Sequence, residues 1–217
     1  VNRAFNLPRL DRREEALSDI RKALEINPKS APAHVGLADL HAKEQRHKDA
    51  ITELDLAIEV DPDYANAHFQ RGMANTALGN FGEALLDFMK AAELRPKDAI
   101  AHKNVAAILL RLKRNDEAVK AFDRAVEADP TYIEARFKRA MLKVNSAPQD
   151  SLADLEAIIE IHTRHLSTAD HQWCALSYLN RGVSRVKQDK FVDAMEDYRS
   201  AIELQPRFAD AYFNKGN

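Results

Sequence analysis

The sequence has 217 residues, 45% of them apolar, and carries 32 basic against 34 acidic side chains for a formal charge of -2. That is enough apolar surface for a packed interior, but there is no net positive field to hold a polyphosphate backbone, which argues against nucleic acid as a partner. The single cysteine, Cys174, excludes an internal disulfide and fits a reducing compartment, and the longest apolar runs, such as VAAILL at 105–110, fall far short of the roughly 18 residues a spanning helix needs, so a soluble chain without membrane insertion is expected.

The chain opens on VNRAFNLPRL, which reads as the end of one helix meeting Pro8, with neither an initiator methionine nor an apolar leader. It therefore reads as a segment of something longer or a processed product. Further on, Pro28, Pro62, Pro96 and Pro130 stand 34 residues apart, and Pro206 follows 76 after the last of them. Before most of these prolines runs an amphipathic stretch (AITELDLAIEVDP, EALLDFMKAAELRP, EAVKAFDRAVEADP, DAMEDYRSAIELQP) whose apolar residues recur every three or four places. Each is predicted to be a helix stopped by its proline, which lacks an amide proton and restricts the residue before it. A further helix follows each proline (ANAHFQRGMANTAL, AIAHKNVAAILLRL, IEARFKRAMLKVN), so the unit is a helical hairpin.

Small residues recur where two helices must approach: Ala38, Gly72, Ala106, Ala140 and Gly182 in first helices, and Ala50, Ala84, Ala118 and Ala194 in second helices. A second alanine row, Ala23, Ala57, Ala91, Ala125 and Ala201, brackets the larger Ile20, Leu54, Phe88, Phe122 and Tyr198. Acids open the second helices at Glu15, Asp49, Glu83, Glu117 and Asp193, where the helix dipole favours them. His34, His68 and His102 share one register position with Arg136, Tyr178 and Tyr212, and this recurrence marks them as structural residues at hairpin junctions rather than a ligand site.

This pattern resembles the tetratricopeptide repeat family over nearly the whole chain. The resemblance implies an all-α, right-handed superhelical solenoid of antiparallel helix hairpins, with first helices lining a concave groove. It divides residues 1–217 into a partial repeat at 1–30, regular repeats at 31–64, 65–98 and 99–132, a divergent repeat at 133–168, a repeat with an extended first helix at 169–208, and the start of another at 209–217. The RNA-reading pentatricopeptide relatives are rejected on period and charge.

Between Pro130 and Pro206 the chain exceeds two regular units, which predicts longer helices and a local change of pitch. The second helix of the divergent repeat starts near Pro148 and runs toward Arg164 or His165, and Ser167, Thr168 or Asp170 is the expected cap of the next. The same stretch holds His162, His165, His171 and Cys174, whose HxxH and HxxC spacing is the one arrangement that resembles a zinc site. Too few cysteines and a core that needs no metal argue against it, and no metal or cofactor is expected.

Function is expected on the groove. An amide row comprises Asn2, Gln70, Asn104, Asn180 and Asn214, broken by Gly36 and Lys138; a side-chain amide can bridge the N–H and C=O of an extended peptide without reading its sequence. The row resembles the asparagine ladder of the O-linked N-acetylglucosamine transferases, whose catalytic domain is absent here. An apolar row adds Phe69 and Met73, Phe137 and Met141, and Leu179 and Val183, with burial in the solenoid as the competing account, and Lys103 lies nearby. The carboxylate clamp of chaperone-binding relatives cannot be assembled, because Ala107 stands where Lys103 would need an asparagine.

No phosphate loop, GxSxG elbow or HExxH motif occurs, and Cys174 beside His171 lacks an orienting partner. The expected function is an intracellular, cytoplasmic adaptor or scaffold, not an enzyme, that binds a protein or peptide in its groove. A non-catalytic targeting arm of a larger enzyme and an architectural subunit of an assembly are the alternatives. Open repeat ends are expected to allow self-association.

Overall fold

The computed structural model describes the backbone of residues 7–165 and 170–216, and the side chains of residues 14–164 and 170–216. The regular elements among them are all helices: α1 (Leu7–Ile26), α2 (Ala31–Lys43), α3 (His47–Val60), α4 (Ala65–Leu78), α5 (Phe81–Leu94), α6 (Ala99–Arg111), α7 (Asn115–Ala128), α8 (Ile133–Lys143), α9 (Pro148–His165), α10 (His171–Val186), α11 (Phe191–Leu204) and α12 (Ala209–Gly216). They fall into two compact units, one ending at Lys113 and the other beginning at Arg114. In the first unit α2–α3 and α4–α5 pair as hairpins, α1 packs on α2, α3 on α4 and α5 on α6. In the second, α8–α9 and α10–α11 pair, α7 packs on α8, α9 on α10 and α11 on α12.

Proline terminates helices as its chemistry requires: α1, α3, α5, α7 and α11 each end two residues before Pro28, Pro62, Pro96, Pro130 and Pro206. No proline follows α9, and it extends to 18 residues while α10 reaches 16, against 13 or 14 for α2 to α7. Asp170 precedes α10 but makes no capping side-chain bond, and Ser167 and Thr168 lie outside the described residues. The expected helix ahead of Pro8 lies outside the described residues; α1 runs from Leu7 through Glu15, and a proline in the first turn forfeits no intrahelical hydrogen bond. First helices are capped at Ser30, whose hydroxyl accepts from the Ala33 amide, and at Asp98, whose carboxylate accepts from Ile100 and Ala101.

The core is built on size complementarity at the helix crossings. Ala38 and Ala50 pack with Leu54, all at most 1% exposed. At two crossings an aromatic ring meets a glycine: a Cβ on Gly72 would stand 2.9 Å from Phe88, and one on Gly182 only 2.6 Å from Tyr198. The turn that closes the α4–α5 hairpin needs a left-handed residue, supplied by Gly79 at φ 80°, and Gln45, Lys113 and Asp189 take the same conformation at φ 63°, 60° and 59°.

Buried ion pairs cross the hairpins. Arg71 on α4 grips Asp87 on α5, which is 4% exposed, with Nη2 to Oδ1 at 2.7 Å, and reaches back to Asp55 on α3 at 2.6 Å. Arg139 on α8 repeats this with Asp154 on α9 at 2.7 Å and Asp123 on α7 at 2.9 Å. Asp197 on α11 is held by both Arg181 and Arg185, at 2.7 and 2.8 Å. The hydrogen bond to Asp154 is the main influence holding the Arg139 guanidinium above its usual range, against the opposing effect of burial.

Candidate partner-binding surface

In α2, α4, α8 and α10 the small residue lies toward the hairpin partner, and the residues flanking that position decide what remains for a ligand. On α4, Gly72 lies against Phe88, and Phe69 joins it edge to face with ring centroids 5.5 Å apart. Phe69 is thus half-buried in the hairpin, while Met73 is 50% exposed. Gln70 on α4 and Asn104 on α6 are half-buried, and their amides make no hydrogen bond among the described residues. Lys103 is half-buried beside Asn104. Of the expected groove residues within the first unit, Gln70, Asn104 and exposed Met73 are available.

In the second unit the expected apolar row is largely buried, as the competing account of that row describes. Phe137 is 7% exposed and packs with Leu155 and Ile158, its ring 5.2 Å from Trp173. Leu179 is 9% exposed, and Val183 packs with it against Tyr198. Met141 is half-buried against the Phe137 cluster. The physical reason is the lengthened joint, where α9 and α10 pack together and the added residue Trp173 covers Phe137. Periodicity marks a face; it does not say what covers that face.

Lys138 remains exposed, with its ammonium 5.7 Å from the Trp173 ring centre. Asn180 is already engaged, since its Nδ2 donates to the Leu176 carbonyl at 2.7 Å within α10. Asn214 on α12 is half-buried without a hydrogen bond among the described residues. Asn2 lies outside them.

The junction histidines have a role that their packing position does not reveal. Nε2 of His34, His68 and His102 donates to the carbonyl of Pro28, Pro62 and Pro96, six residues earlier, at 3.0, 2.8 and 3.0 Å. Arg136 does the same for Pro130 through Nε at 2.7 Å. The sequence signal is a donor six residues after each proline, which a packing role explains equally well until the carbonyl is seen.

Around the HxxH and HxxC motifs, His162 is 5% exposed and its ring centre lies 4.9 Å from that of His171. Cys174 is 1% exposed, and burial pushes its thiol up to about 12. No group of three metal-ligating side chains forms among the described residues, and the His165 side chain lies outside them. No helix among the described residues is long and apolar enough to cross a membrane.

Hairpins packed within each unit, small residues at their crossings and a proline after every second helix except α9 define an all-α helical-repeat protein of the solenoid class. Family models described as tetratricopeptide repeat match residues 10–76 and 77–133, and the chain belongs to that family, whose fold is generally a non-catalytic protein-interaction scaffold. Among solved structures it is similar to YrrB, a TPR protein with an unusual peptide-binding site, at 25% identity and a TM-score of 0.72 over 91% of this chain and 98% of that one. It shares the fold of the C-terminal part of a TPR repeat-containing protein from Cytophaga hutchinsonii (16% identity, TM-score 0.79, 98% of this chain and 84% of that one). The same is true of pilF from Pseudomonas aeruginosa (19%, TM-score 0.68, 97% and 92%). Comparison with curated proteins finds no match.

Proposed function

We propose that the chain holds an extended polypeptide against its first helices, as a cytoplasmic scaffold that performs no catalysis and carries no cofactor. The observation that carries this reading is the pair of uncommitted amides, Gln70 on α4 and Asn104 on α6, at the same register position of successive first helices. Each offers a donor and an acceptor, the complement of one peptide unit, and so binds main chain without demanding a sequence. Exposed Met73 adds an adaptable apolar contact, and the likeness to peptide-binding YrrB over nearly the full length supports the same use of the fold.

The test is to pan a random peptide library displayed on phage against the chain and measure the affinity of enriched peptides for the chain and for a Gln70→Ala, Asn104→Ala double variant. A loss of about tenfold or more is expected, since two hydrogen bonds of about 1 kcal/mol each are removed. Failure to enrich any peptide, or equal affinity for both proteins, overturns the reading.

A further inference from the structure

The buried histidines divide into two kinds. His34, His68 and His102 each bond a proline carbonyl through Nε2, and two of them have a carboxylate at the other nitrogen: Glu53 at 2.7 Å from His34 and Asp87 at 3.7 Å from His68. The free nitrogen of those two rings faces a carboxylate, hydrogen-bonded in His34 and within ion-pair distance in His68. His162 on α9 is different. It is equally buried, yet neither ring nitrogen has a hydrogen-bond partner among the described residues, and the side chain stacked on it at 4.9 Å and 37° is another imidazole, His171 at the start of α10.

We propose that the His162–His171 stack is an acid-sensitive latch between α9 and α10, closed while His162 is neutral and released when His162 is protonated. A cation on His162 would be buried without an acceptor among the described residues and would face a second imidazole that opposes the added charge, which are two independent costs.

The surrounding charges do not relieve it. On α9 itself Glu160 is paired with Arg164. From α8, Arg136 and Arg139 are turned to Asp154. On the α10 side stand Asp170 and the buried Cys174 thiol, and Asp129, Glu134 and Asp170 line a neighbouring cleft with Ile161 and Trp173. None of these groups hydrogen-bonds to His162, and of them Asp170 favours its protonated form. Burial first, and then His171, outweigh Asp170 and depress the His162 basicity. A folded state that binds its proton later than the unfolded chain loses stability as pH falls below about 6.5, the unfolded value. Above that pH the latch carries no penalty.

The molecule contains its own reporter, because Trp173 is the sole tryptophan and packs in the cluster that His162's neighbours Ile161 and Ile158 share. The experiment follows the Trp173 emission maximum and amide exchange in α9 and α10 from pH 8 to pH 5, at a temperature where far-UV circular dichroism shows the helices intact. Emission should shift to the red with a midpoint below about pH 6.5. Exchange, corrected for its intrinsic pH dependence, should speed up by up to about tenfold per pH unit across the window while α2 to α5 stay protected. In His162→Phe both responses should vanish. Should that variant fold poorly, side-chain NMR of the unaltered protein decides the same point through the His162 titration. A flat response, an unchanged response in His162→Phe, or a His162 midpoint at or above that of the unfolded chain overturns the proposal.

Discussion

Arg71 encloses the buried carboxylate of Asp87, and one regular repeat later Val105 and Ala121 stand in the same two places, buried to 8% and 7% exposure. The exposed third member, Asp55, is matched there by Met89. One register position is thus filled ionically in one repeat and by apolar side chains in the next. Removing one partner from a buried pair strands the other, whereas exchanging the whole set for packed apolar groups is close to neutral. Asp87→Ala should therefore cost about 3 kcal/mol in urea unfolding, and the triple exchange Asp55→Met, Arg71→Val, Asp87→Ala should recover most of that loss. A triple variant no more stable than the single one would show that the pair contributes more than charge compensation.

The glycines at the crossings make a second prediction. A methyl group at Gly182 meets the Tyr198 ring at 2.6 Å, so Gly182→Ala should destabilise by about 1–2 kcal/mol despite the better helix propensity of alanine. Adding Tyr198→Leu recreates the alanine and leucine pair of Ala38 and Leu54 and should restore much of the loss, as read by thermal unfolding.

The turns leave room for improvement. Lys113 adopts φ 60°, a conformation that costs a residue with a Cβ about 1–2 kcal/mol and glycine almost nothing. Allowing for the extra freedom glycine gives the unfolded chain, Lys113→Gly should stabilise by about 0.5–1 kcal/mol in denaturant unfolding. Asp189→Gly should gain less, because aspartate tolerates this region.

The proline-carbonyl clamp can be probed by exchange. His68→Ala should cost about 1 kcal/mol of stability, the worth of one hydrogen bond with some packing. His68→Arg should retain most of it, since Arg136 already performs that function for Pro130. Chemical denaturation of the two variants distinguishes a hydrogen-bonding role from bulk alone.

Cys174 should be silent toward dithionitrobenzoate in the native protein at pH 8 and react fully once unfolded. Its thiol is 1% exposed and raised to about 12, against 9.0 for the free group. The unfolded chain thus releases this proton first, so between about pH 9 and 12 the linkage lowers stability as pH rises. Rapid native labelling would mean that the packing around Cys174 opens readily.

The hairpins are legible in the sequence because they rest on local rules: a proline stops a helix, and a small residue marks a crossing. The candidate surface is legible in part. The amide row is visible, but whether Asn180 turns to its own helix depends on a carbonyl four residues back, and its spacing does not reveal that choice. The apolar row misleads because Phe137 and Leu179 satisfy the same periodicity whether they face a ligand or a neighbouring helix. The Arg–Asp pairs escape a reading by pattern although each arginine stands just before a crossing residue, Gly72, Ala140 or Gly182, since a charge on a helix ordinarily faces water.

Near-identical modules joined in tandem run the hazard of docking with the wrong sibling during synthesis or refolding. Here a second helix bearing Asp87 that met α6 instead of α4 would find Val105 where it needs Arg71, and a carboxylate would be shut away from water with no counter-ion. An apolar seam set among modules that carry Arg–Asp pairs marks that module off from its neighbours, and discourages skipped or exchanged partners there without altering the period of the chain.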